Sequence, residues 1–253
     1  EGLLNQTSGL QPTQIMTDTA GYSDLIFGLF GLLGFQFSPR IANKHGTKLW
    51  RIEKNADYGL LNDVTKSRIN IDLIEEHWED ILRVAGSLKS GKVNATELTR
   101  ALQRSGQPTS LGKAITEYGK VYKTKHQLRY LSDEIYARQI LEQLNKGESR
   151  HALCRSIFYG RNGKLYQTYI DGMEEQLTSL SVVTNAVIYW NTLYLEKVLE
   201  QMKVEGYDCS EELIGKLSPL LFEHINFVGK YSFQYNQGLE DGSLRPLKTP
   251  DSL

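Results

Sequence analysis

The sequence predicts an α/β fold whose short strand–helix–strand segment gives way to a long run of helices. Three observations lead there. Residues 13–19 form a short run bounded by Pro12 and Gly21 that reads as a strand, and Lys48-Leu49-Trp50-Arg51-Ile52 alternates as a second strand does. Between them, Leu25 to Leu33 is apolar almost all round, the pattern of a buried helix. From Ile69 onward apolar residues recur at helical spacing and strand patterning stops.

Taken in order, Ser23 or Asp24 supplies a side-chain oxygen able to cap the first helix. Phe35-Gln36-Phe37, followed by Pro39, reads as a connection. Ile71, Ile74, Trp78, Ile81, Leu82 and Ala85 trace one helix, and Asn94-Ala95-Thr96-Glu97 opens another carrying Leu98, Ala101 and Leu102. Gly106-Gln107-Pro108-Thr109-Ser110 is the clearest turn, after which Leu111 to Tyr122 and Leu128 to Leu144 continue the helical run. A further helix is expected to start near Gly147. Past the turn Gly160-Arg161-Asn162-Gly163-Lys164, a long helix runs from about Met173 to Lys203, with Leu177, Leu180, Val183, Val187, Trp190, Tyr194 and Val198 as its buried face. Shorter helical and loop structure follows, ending in a polar tail with Pro246 and Pro250. The boundaries read as 1–66 for the sheet region, 67–132 for a helical insertion and 133–253 for the helix bearing Glu148 with a helical C-terminal region.

Hydrophobic content of 40% and charged content of 23% are those of an ordinary soluble globular protein. The longest apolar run, Leu25 to Phe37, contains Gly28, Gly31 and Gly34 and falls short of the roughly 20 residues a membrane helix needs. No basic segment leads into an apolar one as in a secretory signal. Cys154 and Cys209 show no motif spacing, which suits a reducing cytoplasm and structural thiols. The start at Glu1, without Met, reads as a piece of something longer. Net charge is −1, but residues 113–164 carry 11 Lys/Arg against 5 Asp/Glu, and residues 165–253 carry 6 against 13. Such asymmetry suits one phosphate-facing surface, or plain solvated faces.

Two carboxylates stand out. Asp18 ends the first strand, where an unpaired carboxylate in an apolar layer is disfavoured. Either it hydrogen-bonds its own backbone in a turn, or it is a ligand for Mg²⁺, which prefers carboxylate oxygens. Glu148, on a helix starting near Gly147, shares a face with His151, Ala152, Arg155 and Tyr159, opposite Leu153, Cys154, Ile157 and Phe158. Either it complements the macrodipole of the first turn as a surface ion pair, or it faces Asp18 across a site. Lys146 would then lie at the mouth of that helix, where the dipole favours phosphate.

Thr17-Asp18-Thr19-Ala20-Gly21, with Asp24, Phe27, Leu29, Leu32-Leu33-Gly34-Phe35 and Phe37-Ser38-Pro39-Arg40-Ile41, resembles the pattern around the second catalytic Asp of the transposases of the Tn-three family, the DDE-type enzymes of bacterial replicative transposons. Leu144-Asn145-Lys146-Gly147-Glu148, with Arg150 and Leu153, resembles the pattern around that family's catalytic Glu. Thr184-Asn185-Ala186, Tyr189-Trp190-Asn191-Thr192, Tyr194-Leu195, Leu217-Ser218-Pro219-Leu220, Glu223-His224-Ile225-Asn226 and Leu244-Arg245-Pro246-Leu247 are similar to its C-terminal signatures. These patches keep family order over almost the whole chain, with a finer likeness to Gram-positive, Bacillus-type members.

The resemblance implies a partial RNase H-like catalytic fold with a large helical insertion ahead of the Glu-bearing helix, and a helical C-terminal region. It implies Asp18 and Glu148 as catalytic metal ligands in a two-Mg²⁺ site that Mn²⁺ also serves, cutting 3′ ends at terminal inverted repeats and joining them to target DNA. Lys146, Arg150, Arg155, Arg161 and Lys164 are the expected phosphate contacts. Expected partners are transposon-end and target DNA, the upstream portion of the same transposase and a second copy in a homodimer, in the bacterial cytoplasm and not at a membrane. The family's first catalytic Asp lies on an earlier strand, upstream of Glu1, and no residue here matches it, so the 253 residues are expected to be inactive alone. Two other readings stay open: another RNase H-like nuclease or integrase, and a non-catalytic helical DNA-binding or dimerisation module. Metal-dependent stabilisation or nicking separates the last from the enzymes.

Overall fold

A computed structural model describes residues 2–5, 9–19, 21–43, 46–65, 67–103, 106–164, 169–230 and 232, with the side chains of Arg161, Asn162 and Ile170 outside the description. The Leu244–Leu247 signature and the tail with Pro246 and Pro250 therefore lie outside the described residues. Strand β1 (Gln14–Ile15) pairs in parallel with β2 (Gln36–Phe37). Ladder bonds continue past both, from Gln36 N to Thr13 O (2.9 Å), Ser38 N to Ile15 O (2.8 Å) and Arg40 N to Thr17 O (2.8 Å). Donors come from alternate residues, so Pro39, which has no N–H, occupies a position where none is needed. The segment expected to be a connection at 35–37 thus holds a strand; the four residues between Gly34 and Pro39 are too few for periodicity to show.

Helix α1 (Asp24–Leu33) joins these strands. Ser23 caps it, its hydroxyl accepting from Ile26 N, and Gly34 ends it at φ 84°, a left-handed conformation glycine adopts without strain. Asp24 is therefore the first helical residue and not the cap; its carboxylate pairs with Lys123 at 2.7 Å. The second predicted strand is β3 (Trp50–Arg51), paired in parallel with β4 (Ser67–Arg68). The described strands form two separate two-stranded sheets within a mostly helical chain. Exposed, polar Ser67 and Arg68 carried no strand pattern to read.

The helices depart from expectation at three places. The run from Ile71 is two helices, α2 (Ile71–Glu76) and α3 (Trp78–Lys89), divided at His77. After α4 (Ala95–Leu102), capped by Asn94 through Thr96 N and Glu97 N, helix α5 runs unbroken over Ser110–Ser132. Helix α6 then spans Glu134–Ile157, so no helix starts near Gly147. The break falls at Asp133, whose extended backbone (φ −116°, ψ 98°) ends α5 while its Oδ1 accepts from Tyr136 N in the first turn of α6. A mid-helix glycine costs only about 1 kcal/mol against Ala, less than α6 regains by continuous hydrogen bonding.

By packing, the chain divides into two compact units, residues 1–144 and 145–253. In the first, α1 lies directly on α5: a Cβ at Gly119 would meet the Asp24 carbonyl and the Gly28 amide, and one at Gly28 would meet the Ile115 carbonyl. One apolar cluster joins Leu25 and Leu29 to Ile74, Ile81, Leu88 and Ile115; a second joins Ile41, Tyr130, Tyr136, Ala137 and Ile140, with Met16, Tyr22 and Leu144 packed against it. The second unit holds α7 (Ile170–Val204) and α8 (Glu211–Ile214). The expected buried face of α7 is only partly so, with Leu177, Val183 and Trp190 exposed at 48%, 46% and 42%; the buried side chains among its described residues are Thr184 and Asn191. No helix of the described residues is long and apolar enough to cross a membrane.

Candidate active site

Asp18 follows the last ladder carbonyl, that of Thr17, and is exposed. A buried polar network whose donors can be assigned joins the strands that lead to Asp18. His126 is 5% exposed, and burial, offset in part by its bond to Pro39, lowers its pKa to about 4, so the ring is neutral. Its Nε2 lies 2.9 Å from the Pro39 carbonyl, which only accepts, so Nε2 carries the proton. Nδ1 must then accept from the Tyr136 hydroxyl at 2.9 Å, and Tyr136 in turn accepts from Ser38 Oγ at 2.7 Å. Gln14 Nε2 completes the chain, donating to Ser38 at 3.0 Å. This circuit ties both strands of the ladder to α5 and α6, fixing the backbone that presents Asp18. The sequence motif contained Ser38 and Pro39 but gave no sign of their partners, which lie 87 and 98 positions away.

Glu148 is exposed in the interior of α6, fourteen positions after Glu134. The predicted face is borne out: His151, Arg155 and Tyr159 are exposed while Leu153 is fully buried. The helix start is not, and with it goes the dipole argument for Lys146, which lies in mid-helix. At 100° per residue, Lys146, Arg150 and Cys154 form one stripe and Glu148 and Arg155 the opposite one. Arg150 Nη1 lies 3.8 Å from Cys154 Sγ, itself 3.4 Å from Thr184 Oγ1. Arg155 lays its stem against Gly163. Lys164 is exposed, and of Arg161 only the backbone, in a 3₁₀ turn at Gly160–Gly163, is described. Among the described residues no three His, Cys, Asp or Glu side chains converge as a metal site.

Two cations near Asp18 carried no assigned role in the sequence. Arg40, donating its backbone N–H to Thr17, and Lys48 are exposed beside the Asp18 loop and line a common recess with Thr19. Arg40 did carry a signal, standing within the Phe37-Ser38-Pro39-Arg40-Ile41 motif; Lys48 carried none.

Residues 1–231 match the family model described as the Tn3 transposase DDE domain. The chain is 48% identical over 247 residues to the transposase for transposon gamma-delta of Escherichia coli strain K12, covering 98% of this chain and 25% of that protein. It is 46% identical over 248 residues to the transposase for transposon Tn4556 of Streptomyces fradiae, covering 97% and 27%. With the transposase for transposon Tn1546 of Enterococcus faecium it shares 40% over 248 residues, covering 98% and 25%. The chain thus spans about a quarter of the length of these curated relatives.

Proposed function

We propose, on the premise that the chain belongs to the family of Tn3 transposase DDE domains, that it contributes to the DNA cleavage and strand-transfer chemistry of transposition, with Asp18 and Glu148 as metal-holding carboxylates. The site assignment is supported by the match of residues 1–231 to the Tn3 transposase DDE domain, together with the exposure of both carboxylates. In the first unit, Met16, two residues before Asp18, packs against the cluster of Tyr130, Tyr136 and Ile140. Glu148 stands exposed on α6, on the face that also carries His151 and Arg155.

The donor chemistry fits a hard cation. Both groups are exposed carboxylates, and neither has a hydrogen-bonding or ion-pair partner among the described residues. Mg²⁺ keeps several waters and asks few ligands of the protein. When bound, it supplies a Lewis acid that activates water or a 3′-OH for in-line attack and stabilises the leaving oxygen. Asp18 and Glu148 would hold it by their anionic oxygens. Arg155, on the face of Glu148, and Arg40, beside the Asp18 ladder, attract phosphates and set the strand's position without reading its sequence. The β1–α1–β2 unit is read as part of an RNase H-like sheet and residues 67–132 as its helical insertion; DNA and a second copy of the chain are the proposed partners.

The test is made in a polypeptide that also supplies the family's first Asp. Asp18→Asn and Glu148→Gln keep shape but remove the charge that holds metal. Each is expected to lower Mg²⁺-dependent nicking and strand transfer at least about 10³-fold, the scale of removing one strong electrostatic contribution to a transition state. DNA binding measured without metal should be unchanged. Strand transfer surviving in either variant at saturating Mg²⁺ overturns the assignment.

A further inference from the structure

Next to Asp18 the first unit holds a recess of about 460 Å³, within the range of small-ligand pockets (roughly 300–1,000 Å³). Its base is built by α5. The Lys123 ammonium lies 4.4 Å from the Tyr22 ring centre and 5.4 Å from that of Trp50, with its charge met by Asp24 at 2.7 Å. One turn further along α5, Gln127 is 2% exposed. Its Nε2 donates to the Tyr22 hydroxyl at 2.8 Å, and the buried Oε1 has no hydrogen-bond partner. The Trp50 backbone is held from the same helix, its amide N–H donating to Thr124 Oγ1 at 3.3 Å. A fixed, buried amide oxygen on a residue that lines the recess asks for an N–H or O–H donor. At the rim stand Thr19, the residue after Asp18, and the cations Arg40 and Lys48, both exposed and without partners among the described residues.

We propose that this recess receives one nucleotide of the DNA strand held at Asp18. The unpaired base lies against the floor formed by Tyr22, Lys123 and Trp50 and donates an N–H to Gln127 Oε1, and the phosphate lies between Arg40 and Lys48. All four DNA bases carry an N–H donor on their pairing edge, so the contact selects for an unpaired base and not for one sequence. The inference rests on the transposase reading above and extends it from metal ligands to the strand itself.

The probes are a short single-stranded oligothymidylate and an abasic deoxyribose-phosphate strand of equal length and charge. Wild-type chain is expected to bind the first roughly tenfold more tightly, the scale of one hydrogen bond to a buried acceptor. Gln127→Leu should erase that ratio and leave abasic affinity unchanged. Arg40→Ala with Lys48→Ala should weaken both strands alike and flatten the salt slope by about 1.4, two single-strand phosphate contacts. Photo-crosslinking of a 4-thiothymidine strand to the unaltered chain needs no substitution, and adducts are expected on Tyr22 or Trp50. Equal affinity for the two strands, a ratio untouched by Gln127→Leu, or adducts only elsewhere each overturn the pocket. Metal-dependent nicking by the longer polypeptide that supplies the first Asp, beside base-independent binding, sinks the pocket alone; absence of both nicking by that polypeptide and DNA binding sinks the transposase reading with it.

Discussion

The two units are held together by different physics. Every described hydrophobic side chain that is fully buried, from Leu25 to Ile140, lies in residues 1–144, save Leu153. The second unit buries polar anchors instead. Thr184 donates to the Leu180 carbonyl, and Asn191 donates to the Pro219 and Leu221 carbonyls while accepting from His224 Nε2 at 3.0 Å. Its apolar residues stay out, with Val182 64%, Tyr189 66% and Leu221 58% exposed. Directional bonds fix a few points on a helix; apolar burial fixes a volume and resists any change in it. Asp18 stands on the second kind of support. Glu148 sits where α6 leaves that support, one turn after Leu144.

Two glycine substitutions break the comparison most sharply. Gly119→Ala forces a methyl group into the backbone of α1, where helices, not side chains, must give way. A loss of at least about 3 kcal/mol in unfolding free energy is expected, the upper range for overpacking. Gly147→Ala, four residues along the same helix from Gln143 and one before Glu148, meets nothing within 4 Å. It should stabilise by up to about 1 kcal/mol through helix propensity alone. Denaturant melts of the two variants give both signs directly. A Gly119→Ala protein as stable as its parent would show that the α1–α5 contact is looser than the structure has it.

Acid supplies a second contrast. His126 in the first unit has its pKa lowered to about 4 from 6.5 by burial. The unfolded chain therefore binds the proton that the folded chain refuses, and stability rises with pH between those values. The contribution is complete above pH 6.5 and is lost as pH falls toward 4, up to about 3 kcal/mol in all. Amide exchange resolved along the sequence should show α5 and the 36–40 strand losing protection in this window. His126→Gln should flatten the dependence. If protection in residues 170–204 falls first, the pH response belongs to the other unit.

How much of this was legible in the sequence differs between the same two regions. Caps and breakers with local partners were readable: Ser23, Asn94 and Gly34 act within a few residues of where they stand. The strand of residues 13–19 and the Glu148 face were also readable, because each follows one element's periodicity. What failed depended on distant partners. Gln36 and Phe37 become a strand only against β1, and Asp133 breaks the helical run only because Tyr136 then joins the network with Ser38 and His126. On α7, spacing marked an apolar stripe correctly but could not say whether anything covers it; burial there follows Thr184 and Asn191. The carboxylate pair was suggested by resemblance, whereas Arg40, Lys48 and Gln127 emerge from the fold.

The smallest effect concerns the two stripes of α6. A helix that began near Gly147 would gather Lys146, Arg150 and Arg155 around Glu148; the continuous helix places Arg155 on the Glu148 side and Lys146 and Arg150 on the other. If DNA approaches along the face of Glu148, Arg155→Ala should lower the salt slope of duplex binding by about 0.9, one phosphate contact, and reduce affinity modestly at low salt. Lys146→Ala is exposed and lies on the opposite stripe, so its slope should match that of the parent. Arg150→Ala should instead lower thermal stability slightly, because Arg150 meets Cys154 beside buried Thr184. Filter-binding titrations from low to moderate salt, run with melting curves on the same three proteins, separate these outcomes. A lost slope unit for Lys146 with none for Arg155 would mean that DNA lies on the far side of α6, and that Glu148 faces away from it.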